Sequence, residues 1–245
     1  MITIVNAYPD YLNLYGEYSA VKLLELRLRG LRQKVRIQEL SFGRYEDIEA
    51  ADMMYFSAGT ENRMLNVLED VRRYAKEIRN FVDNGKLLLI SGCTAAVFCK
   101  TITDERSGRK YEGLGLFDAN ASITPKRRYG ELICSYNDGP RVIGPVNSSV
   151  DFSRNDGQEP LFTVLWDSSK RFSKGSTEGM KIGDNVFASE ITGPLICRNP
   201  HLLDLVAEKT AGVKLPECSE RWYKEGQLAY EHTLNVLLSE AHMKE

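Results

Sequence analysis

The sequence predicts an α/β fold: a doubly wound, mostly parallel sheet flanked by helices, with a β-rich second half and C-terminal helices. Three observations carry that expectation. Leu87-Leu88-Leu89-Ile90 and Met53-Met54-Tyr55-Phe56 are short apolar runs, too short for helices, as expected of strands buried on both faces of a parallel sheet. Between them lies a long segment with apolar residues at helical spacing. After Thr101 the texture changes to short segments rich in Gly, Asn, Asp and Ser, which read as strands and turns.

Taken in order, Ile2-Thr3-Ile4-Val5 reads as a first strand, followed by a loop of turn formers and aromatics from Asn6 to Gly16. A loop at the end of a first strand is suited to lining a site, and Tyr8, Tyr11 and Tyr15 either line a cleft or interface or pack the loop down. A helix is expected from about Glu17 to Arg29, with Val21, Leu24 and Leu28 on one face and Gly30 as its stop. Lys34 to Gln38 alternates like an edge strand. One long helix is expected from Asn62 to Val82, with Leu65, Leu68, Val71, Ala75, Ile78 and Val82 as its stripe. In the second half, strands are expected at 121–124, 131–134, 141–143, 162–166 and 185–188, covering the same sheet. Asn199-Pro200 opens a helix to about Ala211, closed by Gly212. After the break at Leu215-Pro216 a last amphipathic helix begins near Ser219. The expected organisation is one α/β domain over residues 1–215 and a terminal helix over 216–245.

Composition narrows the function. The 245 residues carry a net charge of −2 and are 42% hydrophobic, enough for a substantial core. Basic residues are scattered, with Arg127-Arg128 the one notable pair, so no nucleic-acid partner is expected. No apolar run approaches the ~18 residues of a membrane span, and Met1-Ile2-Thr3-Ile4 lacks the charged start of a signal peptide. The five cysteines (Cys93, Cys99, Cys134, Cys197, Cys218) form no Cys-x-x-Cys pair and the three histidines do not cluster. Reduced thiols in a cytoplasm, no metal and no cofactor are the expectations.

The chain is organised around Asn84 to Cys99. A turn signal, Asn84-Gly85, precedes the buried strand, which runs into Ser91-Gly92-Cys93-Thr94-Ala95-Ala96. A strand that turns through small residues into a helix makes an elbow at the carboxyl edge of the sheet, where open α/β sheets bind ligands. Either Ser91 or Cys93 is expected at its tip. A thiol there, at a helix start, would have a lowered pKa.

Four segments resemble one family. Tyr8-Pro9-Asp10-Tyr11-Leu12-Asn13-Leu14-Tyr15-Gly16, Gly85 to Gly92, Glu112-Gly113-Leu114-Gly115-Leu116-Phe117-Asp118 with Arg127 and Gly130 in an Arg-x-x-Gly element, and Gly193-Pro194-Leu195-Ile196-Cys197-Arg198-Asn199-Pro200 are similar, in order, to motifs of the triad-type (class I) glutamine amidotransferases. The similarity is to the cobyric acid synthase branch and, within it, the amidotransferase subunit of lipid II isoglutaminyl synthase. The resemblance implies a flavodoxin-like class I amidotransferase fold. It also implies a Mur ligase-like ATP-dependent partner in bacterial peptidoglycan or corrinoid-type amidation, and glutamine or another small molecule as the ligand in the cleft.

Such chemistry needs a thiolate to attack the glutamine amide, a histidine to move protons and backbone N–H groups to hold the oxyanion. The resemblance puts Ser91 at the cysteine position and Thr192 at the histidine position, in Glu190-Ile191-Thr192-Gly193-Pro194. The glycine-rich oxyanion loop reads Ala58-Gly59-Thr60-Glu61, and a second histidine position reads Ser148. Gly59, Thr60, Glu61, Gly92, Arg127 and Glu190 are the expected ligand-lining residues. Glu61 and Glu190 either contact a ligand or are solvated, and Arg127 either binds a carboxylate or lies on the surface. Three functions follow as expectations: a subunit that has lost glutaminase activity, an active amidotransferase using a displaced Cys93, or a small-molecule binding module or hydrolase using Ser91.

Overall fold

The computed structural model describes residues 1–44 and 46–243. The first half alternates strands and helices in the order β1 (Ile2–Ala7), α1 (Tyr18–Arg29), β2 (Val35–Leu40), β3 (Met53–Phe56), α2 (Glu61–Val71), α3 (Ala75–Asp83) and β4 (Leu87–Ser91). The second half runs β5 (Thr101–Asp104), β6 (Arg109–Glu112), β7 (Ala119–Ser135), β8 (Val142–Arg154), β9 (Phe162–Asp167), β10 (Thr177–Glu178), β11 (Met180–Ile182) and β12 (Val186–Ser189), then α4 (Leu195–Arg198), α5 (Pro200–Ala211) and α6 (Arg221–Glu240).

The main sheet has the order β11-β12-β4-β3-β1-β2, with β12, β4, β3, β1 and β2 parallel and β11 antiparallel at the edge. Its strands are apolar throughout because both faces are covered. Val5, Ala7, Met54, Phe56, Leu88 and Ile90 face one core, filled by α2 and α3. Ile4, Met53, Tyr55, Leu87 and Leu89 face the other, filled by α1 and α5. The doubly wound fold read from the sequence is therefore the fold observed.

Three local expectations need correction. The helix read over 62–82 is two, α2 and α3, joined by a tight 3-10 turn at Arg72–Tyr74. The turn seats Tyr74 in the core, with its hydroxyl donating to the Arg44 carbonyl at 2.6 Å. The segment after the elbow is a 3-10 run over Gly92–Phe98. The β-rich half forms its own sheet, ordered β10-β9-β7-β5-β6 with β8 paired to β7. β5, β6, β10 and β11 were not anticipated, being short or charged (Arg109-Lys110-Tyr111-Glu112 has no apolar face).

Strand β7 carries a register shift between Ile123 and Arg128. Before it, Ala121 and Ile123 pack into the core of α2 and α3; after it, Leu132 and Cys134 pack into the core of α1 and α5. A bulge of this kind re-aims side chains at a rim, and Arg127 lies in it. Helix α6 lies against the domain through Tyr223, whose hydroxyl donates to Asp204 at 2.6 Å, and through Leu237 and Leu238 beside Ile133 and Ile143. Among the described residues no helix is long and apolar enough to cross a membrane.

Candidate functional site

The carboxyl ends of β1, β3, β4 and β12 are joined by loops that touch one another. The 57–60 loop after β3 lies on the loop after β1: the Leu14 N–H donates to the Ala58 carbonyl at 3.1 Å, and the Ser57 hydroxyl donates to the Leu12 carbonyl. Thr60 ends that loop as the N-cap of α2, its hydroxyl accepting from the Arg63 N–H at 3.4 Å. Gly59 is packed so closely that a Cβ there would stand 2.9 Å from the Leu12 side chain.

At the elbow, Ser91 still has extended backbone and the chain turns at Gly92, φ +64°. The tip residue is therefore neither Ser91 nor Cys93 but the glycine between them. The pleat explains Ser91: it shares a face with Leu87 and Leu89, so its hydroxyl points beneath the sheet edge, 3.2 Å from the Tyr55 hydroxyl, and is buried. Cys93 points into the loop after β3, its Sγ donating to the Gly59 carbonyl at 3.1 Å. Its pKa moves opposite to the expectation, pushed up to about 12 by burial and by the Glu61 charge. A Cβ on Gly92 would lie 2.7 Å from the Ala58 Cβ and 3.0 Å from Cγ2 of Thr192.

Thr192 thus stands beside the tip and presents its methyl group to it. Its hydroxyl and its N–H both donate to the Pro145 carbonyl, at 3.2 and 2.8 Å. No histidine reaches this edge. His201 is half-buried on α5 against the ring of Tyr230, its pKa lowered to about 4 by burial. His232 and His242 are exposed on α6 and just after it.

Two carboxylates flank the tip. Glu17, at the start of α1, is completely buried and accepts the Ala58 N–H, with the Gly193 N–H and the Ser57 hydroxyl also against it. Those dipoles only partly offset burial, and its pKa is pushed up to about 7. In the sequence Glu17 is one more helix-start residue. An acidic residue at such a position is ordinary, so nothing local marks it. Glu61, on the other side, is 5% exposed rather than solvated. Both its oxygens lie within 2.8 and 2.6 Å of Nη2 of Arg127, and Oε1 also accepts the Ser149 N–H at 3.1 Å. Burial alone would raise its pKa, but its own N–H, the Ser149 N–H and Arg127 together hold it below the usual carboxylate range. Arg127 donates through Nη1 to the carbonyl and the side-chain oxygen of Asn147, so this surface arginine, 44% exposed, is held in place with its carboxylate partner supplied by Glu61.

Glu190 is not brought to the cleft. It is buried in an ion pair with Arg171, next to Glu178, which accepts the Glu190 N–H. Burial raises both carboxyls, and Glu178 is further raised by the Glu190 charge. Tyr8 is buried, its hydroxyl donating to Asp70 at 2.9 Å, and Tyr11 packs on Phe42. Tyr15, half-buried like Tyr11, lies near Arg127, Cys93 and Glu61. Ser148 is buried, its hydroxyl accepting the Val150 N–H at 2.9 Å. Among the described residues no three His, Cys, Asp or Glu side chains converge as a metal site requires.

Against this geometry, residues 3–199 match the family described as the CobB/CobQ-like glutamine amidotransferase domain. Solved structures share the fold. A crystal structure of a glutamine amidotransferase aligns over 84% of this chain and 98% of its own, at 17% identity and a TM-score of 0.55. The glutaminase domain of Trypanosoma brucei CTPS with bound acivicin aligns over 91% of this chain and 99% of its own, at 11% identity and a TM-score of 0.54. No match was found among curated proteins.

Proposed function

The chain belongs to the CobB/CobQ-like glutamine amidotransferase family, and from that premise we propose that it is a subunit that keeps the amidotransferase fold without glutaminase chemistry. The observation that carries this reading is the elbow. Its tip is Gly92, which has no side chain, and the space a side chain would enter is taken by Ala58 and by the methyl of Thr192. A nucleophile and a general base are both wanting at the two facing positions. Loss of either leaves only the residual rate from binding and oxyanion contacts, about 10⁴- to 10⁶-fold down. The flanking side chains do not replace them. The Cys93 thiol is buried, hydrogen-bonded and raised to about 12, so almost none is thiolate near neutrality. The Ser91 hydroxyl shares its hydrogen bond with the Tyr55 hydroxyl, which is not a base.

The motifs at residues 8–16, 112–118 and 193–200 support placement beside the lipid II isoglutaminyl synthase and cobyric acid synthase amidotransferases. In that setting the chain serves a Mur ligase-like ATP-dependent synthetase in the cytoplasm as a binding or regulatory partner. The test is ammonia release from glutamine by the purified chain, alone and with a co-purified ligase-like protein, for the wild type and Cys93→Ala. No release in any state, with the partner still bound, is expected. Release that disappears in Cys93→Ala overturns the reading and restores a working amidotransferase with a displaced nucleophile.

A further inference from the structure

We propose that Glu61 is a resident ligand: its carboxylate fills, from within the chain, a pocket built for the carboxylate of a small ligand, and so closes the cleft to free amino acids and related acids. The inference rests on the reading that the elbow carries no chemistry, and it names what keeps the neighbouring cleft shut.

The geometry is that of a bound anion. Arg127 Nη2 contacts both oxygens at 2.8 and 2.6 Å, and the Ser149 N–H reaches Oε1 at 3.1 Å. The carboxylate is nearly sealed from water, whereas a glutamate in the first turn of a helix gains its dipole interaction while fully solvated. Burial of a charge is unfavourable unless donors replace the lost water. Here they come from three separate places: the helix start, the bulge of β7 and strand β8. Arg127 is itself fixed by Asn147, so the guanidinium is preorganised rather than drawn in by Glu61 alone. Its side chain remains 44% exposed, so the donor that would receive an outside carboxylate is reachable from solvent. The pocket adjoins the elbow, since the Glu61 charge acts on Cys93 and on the half-buried Tyr15. Glutamine, glutamate and small organic acids would all present the group that Glu61 already supplies.

Removal of the resident carboxylate tests whether these donors take up a carboxylate from solution. In Glu61→Ala the space and the donors remain, so acetate and L-glutamate are expected to bind in the millimolar range. At about ten times the half-saturating concentration they raise the melting temperature by about 3–6 °C. The wild type and Glu61→Gln, whose side chains still fill the pocket, are expected to show no rise beyond that given by sodium chloride at equal ionic strength. Glu61→Ala/Arg127→Met is expected to lose the response. Should Glu61→Ala not fold, Glu61→Ser leaves nearly the same space and tolerates a helix start. The proposal is overturned if the small-residue variants gain no Arg127-dependent stabilisation by carboxylates, or if the wild type binds them equally. The ammonia assay reads a different property: release of ammonia by the wild type sinks the functional reading whatever these ligands do, and absent carboxylate binding sinks this inference alone.

Discussion

The two sides of the elbow hold buried carboxylates in opposite ways. Glu17 has only backbone and hydroxyl dipoles around it, and burial pushes its pKa up to about 7. Glu61 has dipoles and the Arg127 guanidinium, and its pKa falls. The Glu17 side, with Gly92, Ala58 and Thr192, is closed by packing; the Glu61 side is closed by charge. At Glu17 the dipoles only partly offset burial, while at the less deeply buried Glu61 dipoles and one cation more than offset it.

The packed side should be the more sensitive to added volume. Gly92→Ala needs a left-handed φ and brings its Cβ to 2.7 Å from that of Ala58. It is expected to cost about 2–4 kcal/mol in urea unfolding, the sum of left-handed strain and overpacking. A neutral Gly92→Ala would mean the two loops are looser than their contacts.

The charged side should be sensitive to loss of the cation. Arg127→Met leaves Glu61 buried without its partner. The expected loss is about 2 kcal/mol at pH 7, less than the about 3–5 of a fully buried pair because Arg127 is 44% exposed. Removing Glu61 instead should cost less, since the Arg127 guanidinium left behind is still hydrogen-bonded to Asn147 and is already 44% exposed. Equal costs would erase the asymmetry between the two partners.

Stability against pH distinguishes the two carboxylates by sign. Glu17 has a folded pKa near 7 above an ordinary value of 4.5, so the folded state binds more protons between those limits. Its contribution is present below about pH 4.5 and is lost as pH rises toward 7, by at most about 3 kcal/mol. Glu17→Gln should remove that slope and be the more stable protein at pH 8. Glu61, with a depressed pKa, contributes stability above its ordinary 4.5 that is lost as pH falls through its folded value. Urea midpoints for Glu17→Gln and Glu61→Gln should therefore approach wild type at pH 3 and diverge from it in opposite directions toward pH 8, Glu17→Gln becoming the more stable and Glu61→Gln the less. The smallest effect concerns thiols: Cys197 and Cys218, which are half-buried, should alkylate before Cys93, which is buried.

Much of the main sheet was legible because period and apolar run length are local properties. Leu87–Ile90 and Met53–Phe56 have one reading each, and the helical stripes followed. The second half was less legible. β6 is a charged four-residue strand, and β7 changes which core it serves at a bulge that no local pattern marks. In the candidate site, the sequence leaves Glu61 and Glu190 open between ligand contact and solvation and offers either Ser91 or Cys93 for the tip; the structure buries Glu61 and Glu190 in ion pairs with Arg127 and Arg171 and seats the Cys93 thiol on the Gly59 carbonyl. Each of these outcomes concerns burial, which depends on chain segments far away in sequence.

By itself the sequence determined that this is a two-faced parallel sheet with an elbow of small residues after β4. Only the tertiary structure decided that the elbow tip is Gly92. A one-residue offset in where a strand ends and a 3-10 turn begins carries no local free-energy signature; it follows from Ala58 and Thr192 closing over the turn. Only the tertiary structure, likewise, paired Glu61 with Arg127 across 66 residues of chain, because a charge that is ordinary at a helix start becomes a buried ligand once a distant strand bulges toward it.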